Sequence, residues 1–361
     1  MNVLVLRKLD ARQLSDLTAL LARCEQADGS PPLAEPQRMA LSEPDGTAGL
    51  VVLLAYDGPA GPAGSAGSAG PDGPDDRAGR ALVGCAVLTP DPDGATSLHV
   101  AVDPSQRGAT RGWPIQRELM QNALSWRAGE GQEVGGTGTG ETGPSGRVGP
   151  AGEAAGRLRL WIMGATEADD AEAHTLGFRP ERDLLQMRVP LPLAPDVVAS
   201  ARPLRTRAFR PGQDDEAWLA VNNRAFEGHP EQGGWTLEDL HERMAADWFD
   251  PVGFLVADSA DNTDGADKNG SADKSSMIGS CWTKVHRDST PVMGEIYVIS
   301  VDPSHHGEGW GRALTVAGLQ WMSGKGIRLG MLYTTSSNTT AVKLYHSLGF
   351  TIDHVDRSYL I

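Results

Sequence analysis

Residues able to bind phosphate are concentrated near the C-terminal end of the sequence. Gly307, Gly309 and Gly311 follow the apolar run 294–303 and precede a helical pattern that we predict to begin at Arg312. A Gly-rich turn that opens a helix presents unpaired backbone N–H groups, and the positive end of the helix dipole, to an anion. Glycines also allow the backbone to approach a diphosphate closely. The sequence therefore predicts a diphosphate site at this turn.

Two nearby side chains could move protons. Glu295 lies on the predicted strand, seven residues before Asp302, and its carboxylate can accept a proton from an amine. Tyr345 lies on a short predicted helix that Asn338 caps and Gly349 ends. A phenol with a pKa near 10 stays protonated at neutral pH and can donate to a departing thiolate.

Together, residues 294–312 and 338–350 resemble the acetyl-CoA signature of the GCN5-related N-acetyltransferase (GNAT) family. The resemblance implies an enzyme that moves an acetyl group from acetyl-CoA to an amine without a metal. It also supports Tyr345 as the acid, because the family commonly has a general acid at this motif position, and Glu295 stays our candidate for the base. His306 stands where the family usually has Gln or Arg. The coenzyme-binding residues that we predict are Ile299, Ser300 and Val301 on the strand, His306, Gly307, Glu308, Gly309, Trp310, Gly311 and Arg312 in the turn, and Asn338 and Lys343 beyond it.

Simpler interpretations of these residues stay open at this point. Tyr345 could be a core aromatic whose hydroxyl is satisfied, and Glu295 could be an exposed charge at a strand edge. Cys281 could be taken for a nucleophile, but a buried strand cysteine is the preferred interpretation.

Composition limits the class of partner. The chain has 361 residues, enough for two domains, and a net charge of -15, which argues against nucleic acid and against an anionic membrane surface. Three widely separated cysteines fit a reducing compartment, and no apolar run approaches a membrane span. We expect a cytoplasmic protein, monomeric, without a metal.

The chain repeats itself once three polar insertions, near 57–80, 128–156 and 258–276, are set aside. These insertions are interpreted as disordered loops, with regulatory or docking segments as the alternative. Each copy contains a strand that ends in Asp-Pro, a helix, a strand, and a helix that ends in Leu-Gly-Phe. We predict an α/β fold with mixed sheets: an N-terminal GNAT-like domain at 1–190, a Pro-rich linker at 191–203, and a catalytic domain at 204–361.

The first copy lacks both proton-transfer residues. Seven residues before Asp103 stands Thr96, and four before Gly177 stands Ala173. Its glycine turn carries Pro114 where the second copy has glycine. We therefore expect the first domain to be inactive in chemistry, although the strand residues Val100, Ala101 and Val102 could still contact acetyl-CoA.

The strings 222–226, 229–235, 281–286 and 294–303 resemble a tandem-domain branch of the family. That resemblance implies an acceptor called Cys-GlcN-Ins, a cysteine joined to glucosamine and inositol, acetylated on its cysteinyl amine. The residues it implies for that pocket are Glu35, Glu231, Lys284, Glu295 and Tyr333. Two alternatives stay open: acetylation of an aminoglycoside, a polyamine or a protein N-terminus, and an acyl-CoA-binding module without catalysis.

Overall fold

The computed structural model describes residues 1–42, 50–58, 80–91, 93–108, 112–129, 156–228, 233–259, 277–287 and 289–361. Most of the three predicted insertions, together with Glu231, lies outside these ranges. The chain divides into two compact units, Met1–Arg182 with Asp356–Ile361, and Asp183–Val355. No helix among the described residues is long and apolar enough to cross a membrane.

Each unit contains a mixed sheet with helices, which confirms the predicted α/β class. The strands of the first unit are β1 (Asn2–Leu6), β2 (Val51–Tyr56), β3 (Leu82–Pro90), β4 (Thr96–Val102) and β5 (Leu158–Ile162). Neighbouring strands from β1 to β4 are antiparallel, and β4 and β5 are parallel. The antiparallel partner on the other side of β5 is the end of the last strand, β12 (Thr351–Leu360).

The helices of the first unit are α1 (Ala11–Asp28), α2 (Glu35–Ser42), α3 (Trp113–Arg127) and α4 (Glu167–Thr175). The side chain of Asp10 caps α1 at the N–H of Gln13, and Gly29 ends the helix in the left-handed conformation. The buried face of α1, with Leu17 and Leu20, packs in one core cluster of the unit.

The second unit begins its sheet with the long strand β6 (Arg179–Pro190), whose residues from 184 onward pair antiparallel with β11 (Leu329–Thr335). The remaining strands are β7 (Arg207–Ala208), β8 (Phe254–Asp258), β9 (Met277–His286) and β10 (Met293–Val301). Strands β10 and β11 are parallel, and the other neighbours in the order β10, β9, β8, β7 are antiparallel.

The helices of the second unit are α5 (Pro195–Ala199), α6 (Asp215–Ala225), α7 (Leu237–Met244), α8 (Trp310–Gly324) and α9 (Thr339–Ser347). Helix α8 packs closely on the sheet because Gly318 faces Cys281: a Cβ at Gly318 would lie 2.5 Å from the Cys281 sulfur. The predicted helix start at Arg312 was two residues late, since α8 begins at Trp310.

The unit boundaries differ from the domain boundaries predicted above. Residues 183–190 belong to the second unit and residues 356–361 to the first. Strands β6 and β12 were not predicted from the sequence, although each follows a helix that ends in Leu-Gly-Phe. The predicted linker also contains a helix, α5.

The two copies share a detailed turn after β4 and β10. In each, an aspartate (Asp103 or Asp302) donates its N–H to a carbonyl of the antiparallel neighbour and accepts from the serine two residues on. Each aspartate also forms an ion pair with an arginine, Arg23 or Arg224. These matching contacts give the repeat in the sequence a physical cause: both copies use the same capped turn to lead a strand into a helix.

Candidate active site

Strands β10 and β11 separate in the middle of the second unit. Their pairing stops at Ile296 and Leu332, although β10 continues to Val301 and β11 to Thr335. Past that point β10 is paired only through β9, within the residues that the structure describes. The edge at Ile299, Ser300 and Val301 is therefore where an extended ligand could add to the sheet as a further strand.

The turn after β10 has the geometry of an anion site. Asp302 caps the short 3-10 turn Pro303–His305, and Gly307 and Gly309 follow with φ of 81° and 86°, in the left-handed region. Gly309 is the N-cap of α8 and offers no side-chain cap to it. None of the six N–H groups from Gly307 to Arg312 has a hydrogen-bond acceptor within the described part of the chain. We call residues 307–312 the phosphate loop.

The other side of the phosphate loop is held by residues that the sequence analysis assigned to the linker or did not consider. The Arg202 guanidinium donates to the Glu308 carbonyl (2.9 Å) and lies 3.4 Å from the centroid of the Trp310 ring. Arg312 donates to the hydroxyls of Ser200 (2.8 Å) and Ser347 (2.7 Å). These contacts occupy a loop carbonyl and leave the loop N–H groups available to an anion. Their signal in the sequence was weak, because Ser200 and Arg202 lie far from the motif.

Other predicted coenzyme residues in and just before the loop also have their side chains engaged by the protein. A ring nitrogen of His306 lies 3.1 Å from the carbonyl oxygen of Val301. The indole N–H of Trp310 donates to the Glu308 carboxylate at 2.8 Å and lowers the pKa of that carboxyl. The backbone of the loop, more than these side chains, is what faces a ligand. Beyond it, Asn338 caps α9 by accepting from the Ala341 N–H, and Lys343 is exposed on the same helix.

Replacing Gly309 by Ala should weaken acetyl-CoA binding. An L residue at a φ of 86° costs about 1–2 kcal/mol, and relief of that strain would turn loop N–H groups away from the diphosphate. We expect the KM for acetyl-CoA to rise roughly tenfold, the equivalent of about one lost charge-assisted hydrogen bond. Steady-state kinetics at saturating acceptor would measure it.

Gly326 provides the matched control for that substitution. It has a φ of 85°, lies in the turn after α8, and a Cβ added there would meet open space. Gly326→Ala should lower stability by a similar amount with no change in the KM for acetyl-CoA. Equal KM values for the two variants would contradict the assignment of the phosphate loop.

The capping carboxylate at the start of the loop predicts an acid-sensitive contribution to stability. Burial of Asp302 opposes its ionisation, but hydrogen bonds from Ser304 and Arg224 outweigh burial and lower its pKa to about 2. Because the folded-state pKa lies below the unfolded value near 3.9, folding favours the carboxylate. Its contribution is complete above pH 4 and is lost as the pH falls toward 2.

Comparison with Asp302→Asn would measure that contribution. The difference in unfolding midpoint between the wild type and this variant should be constant from pH 7 to about pH 4 and should shrink below it. A difference that stayed constant down to pH 3 would show that the Asp302 carboxylate gains nothing from its partners in the fold.

Glu295 is buried in the interior of the sheet, not exposed at an edge. Only 7% of its surface is accessible, and β10 lies between β9 and β11. A carboxylate oxygen of Glu295 lies 2.7 Å from Nε2 of His286. Lys284 is its direct neighbour across β9, and the Lys284 ammonium lies 4.4 Å from the ring centroid of Trp248 and 5.1 Å from that of Tyr297. The structure thus brings two predicted site residues, Glu295 and Lys284, together.

A β-bulge follows Glu295. The register between β9 and β10 shifts between Ile296 and Val298, so Tyr297 is an extra residue on β10. Bulges next to a site redirect the strand, and here the bulge coincides with the place where β10 leaves β11. Strand β4 of the first unit has no such shift.

This bulge corrects the residue count made from the sequence. Gly279 opposite Val301 corresponds to Gly84 opposite Val102, so Lys284 corresponds to Thr89. The partner of Thr89 is Ser97, and the counterpart of Glu295 is therefore Ser97, not Thr96. Neither Ser97 nor Thr96 carries a carboxylate, so the first unit still lacks the predicted base.

Tyr345 lies on α9 with its ring in the core of the second unit. The ring packs against Phe350 at a centroid distance of 5.7 Å, and only 6% of the residue is exposed. Burial raises the pKa of the phenol above its ordinary value, so it is protonated at neutral pH. Its hydroxyl has no hydrogen-bond partner among the described residues. The ring therefore packs in the core, whereas the hydroxyl makes no hydrogen bond to the described part of that core.

Three further residues, Tyr333, Glu35 and Glu231, were predicted to bind the acetyl acceptor. Tyr333 lies on β11, and its hydroxyl accepts from the Gln186 amide at 2.6 Å. Gln186 in turn accepts from Arg188, which forms an ion pair with Asp353. Glu35 begins α2 in the first unit, and Glu231 lies outside the described residues. Sequence reasoning missed Gln186 and Arg188 because it assigned no strand to residues 179–190.

In the first unit, an ionic network occupies the position that corresponds to the base. The Ser97 hydroxyl donates to Asp91, and Asp91 pairs with the buried Arg159. Arg159 also pairs with Asp93 (2.7 Å) and with Glu181 (2.6 Å). The strand end at Val100, Ala101 and Val102 separates from β5 after His99, as β10 does from β11. Residues 109–111 of the first-unit glycine turn lie outside the described residues.

The cysteines have no features of nucleophiles. Cys24, Cys85 and Cys281 are free and buried. Burial raises the pKa of the Cys281 thiol to about 12, which keeps it protonated at neutral pH. Across the described ranges, no group of three or more His, Cys, Asp or Glu residues has the arrangement of a metal site.

Comparison with known proteins identifies similar chains over nearly the full length. The family model for the acetyltransferase (GNAT) family matches residues 216–350. The chain is 37% identical over 356 residues to the mycothiol acetyltransferase of Arthrobacter sp. (strain FB24), covering 97% of this chain and 93% of that protein. It is 35% identical to the mycothiol acetyltransferase of Thermobispora bispora, with 95% of each chain covered.

Solved structures show the same fold at lower identity. A GCN5-related N-acetyltransferase from Sphaerobacter thermophilus superposes with a TM-score of 0.60 at 19% identity, covering 99% of this chain and 95% of that one. A tandem GNAT protein from the clavulanic acid biosynthesis pathway superposes with a TM-score of 0.57 at 14% identity, covering 100% and 98%. These likenesses concern the fold alone.

Proposed function

Because this chain belongs to the mycothiol acetyltransferases of the GNAT family, we propose that it transfers an acetyl group from acetyl-CoA to the cysteinyl amine of Cys-GlcN-Ins. This reaction is the last step of mycothiol biosynthesis. The observation that carries the proposal is that a single strand, β10, bears the buried Glu295 and leads directly into the phosphate loop.

The arrangement along β10 suits a thioester donor. The phosphate loop would hold the diphosphate of acetyl-CoA through its N–H groups, and the unpaired edge at 299–301 would hold the pantetheine arm. That arm would then place the thioester near the bulge at Tyr297, two residues from Glu295. The family's use of acetyl-CoA fits these residues.

The proton transfers follow from the two side chains. Glu295 accepts a proton from the acceptor ammonium, directly or through one water, which frees the nitrogen lone pair. The nitrogen attacks the thioester carbon and the carbon–sulfur bond breaks. The Tyr345 hydroxyl donates a proton to the departing thiolate, and the nitrogen loses its second proton to solvent. The products are the acetamide and CoA. Tyr345 then regains its proton from solvent, and Glu295 releases one.

The acceptor pocket is proposed from Lys284, Glu295 and Tyr333 in the second unit, with Glu35 and Glu231 added by family resemblance. Polar and charged side chains are what the hydroxyls of a sugar and an inositol require. We assign catalysis to the second unit only, and Val100, Ala101 and Val102 remain the candidates for a further coenzyme site. The free cysteines support our proposal of a cytoplasmic protein, and we propose a monomer.

A panel of acceptors tests the proposed function. We would compare kcat/KM for Cys-GlcN-Ins, an aminoglycoside, a polyamine and a peptide N-terminus at saturating acetyl-CoA. The proposal predicts that Cys-GlcN-Ins exceeds every other acceptor by at least tenfold, about 1.4 kcal/mol of transition-state discrimination. Preference for another amine would overturn the acceptor assignment, and no turnover with any would favour an acyl-CoA-binding module.

A further inference from the structure

We propose that His286 is a positioning residue for the catalytic base, a role that rests on the proposed function of Glu295. The Nε2 atom of His286 lies 2.7 Å from Oε2 of Glu295. The two residues are on adjacent strands, β9 and β10, next to the turn that joins them. The pair is therefore a short-range contact fixed by backbone geometry and not an encounter between flexible side chains.

The hydrogen-bond chemistry defines what His286 does. Glu295 must be ionised to accept a proton from an amine, so both of its oxygens are acceptors in the resting enzyme. Nε2 of His286 must then carry the hydrogen and donate it to Oε2. That bond fixes the rotation of the carboxylate, and with it the direction from which the ammonium of the acceptor or a bridging water can reach Glu295.

The backbone of His286 is itself anchored. The Ser289 hydroxyl donates to the His286 carbonyl at 2.8 Å and accepts from the Met293 N–H at 3.2 Å. Ser289 thus ties together the two strand ends that carry the histidine and the glutamate. Because hydrogen bonds already hold the backbone of His286, its ring can orient a carboxylate at little additional entropic cost.

Lys284 completes the surroundings of Glu295 without replacing His286. It is the direct cross-strand neighbour of Glu295, and its ammonium lies over the rings of Trp248 and Tyr297. An ammonium is a point charge with rotatable donors, so it can attract a carboxylate without fixing the rotation of that carboxylate. The planar imidazole supplies the direction.

The second unit also contains a matched pair that should not affect catalysis. Nε2 of His241 on α7 lies 2.7 Å from the carboxylate of Asp215 on α6. This pair has the same length and the same atom types, and neither residue belongs to the phosphate loop or to β10. Substitutions of His241 therefore report the general cost of breaking a histidine–carboxylate contact.

The test compares His286→Leu, His286→Gln, His241→Leu and Glu295→Gln. Loss of the positioning bond in His286→Leu should lower kcat roughly 10–100-fold, with an unchanged KM for acetyl-CoA. His286→Gln retains an N–H donor of similar reach and should recover most of that loss. His241→Leu should lower the melting temperature without lowering kcat. Coenzyme affinity and melting temperature of each variant establish that it is folded.

Three results would overturn the inference, and they are distinguishable from failure of the proposed function. A His286→Leu enzyme as fast as wild type, alongside a slow Glu295→Gln enzyme, would remove His286 and keep the base. A His286→Gln enzyme as slow as His286→Leu would show that hydrogen-bond donation is not the role. A Glu295→Gln enzyme with full activity would overturn the proposed base and this inference together.

Discussion

Replacing Glu295 by Gln is expected to lower kcat for acetyl transfer by roughly 10²–10⁴-fold, the usual contribution of a general base. Gln has the same shape and can still accept the hydrogen bond from His286, so the site should keep its geometry. What is lost is the negative charge that takes the proton of the ammonium. Pre-steady-state and steady-state rates at saturating acetyl-CoA would measure the effect.

The first unit supplies the control for this substitution. Ser97 occupies the corresponding strand position, so Ser97→Ala changes the same place in the other copy. It should lose the hydrogen bond to Asp91 and a little stability, and kcat should stay at the wild-type value. Activity that survived Glu295→Gln but fell in Ser97→Ala would place the chemistry in the first unit and contradict our assignment to the second.

Replacing Tyr345 by Phe is expected to lower kcat by roughly 10²-fold or more, the lower end of the range for a proton donor. The ring packs in the core while its hydroxyl has no partner in the described residues, so the variant should unfold at the same temperature. Burial keeps this phenol protonated, which suits a donor to the thiolate. Thermal unfolding and kcat should be measured on the same preparation.

Tyr359 gives the opposite expectation and therefore a control. It is fully buried in the first unit, and its hydroxyl donates to Asp170 at 2.7 Å. Tyr359→Phe should lower stability by about 1 kcal/mol, since the hydrogen bond from the Tyr359 hydroxyl to Asp170 is lost, and should leave kcat unchanged. If Tyr345→Phe instead lost stability and kept kcat, Tyr345 would be the core aromatic that the sequence left as an alternative.

Much of the candidate site could be predicted because its signals are local. The glycines at 307 and 309 have left-handed φ values that few other residues adopt, and their spacing before a helix predicts an anion site. Glu295 and Lys284 fall on strands with clear apolar patterns. The repeat could be found because β4 and β10 are each followed by an aspartate that caps the next turn.

What could not be predicted depends on contacts between distant segments. Strands β6 and β12 follow equivalent helices, yet the pairing that completes each sheet involves residues far apart in the chain, such as Tyr333 with Gln186 and Tyr359 with Leu160. Arg202 contacts the phosphate loop from a segment whose prolines indicated a linker. The bulge at Tyr297 has no sequence signal of its own. Because it adds one residue to β10, counting back from the aspartate gave Thr96, and not Ser97, as the counterpart of Glu295.

The most direct test of the account is to locate the transferred acetyl group. We would incubate the protein with Cys-GlcN-Ins and acetyl-CoA labelled in the acetyl group, then fragment the product by mass spectrometry. The account predicts one label per product molecule, on the cysteinyl nitrogen, formed by the wild type and strongly slowed in Glu295→Gln. A label on a sugar hydroxyl or on the cysteine sulfur, or equal rates for both proteins, would contradict it.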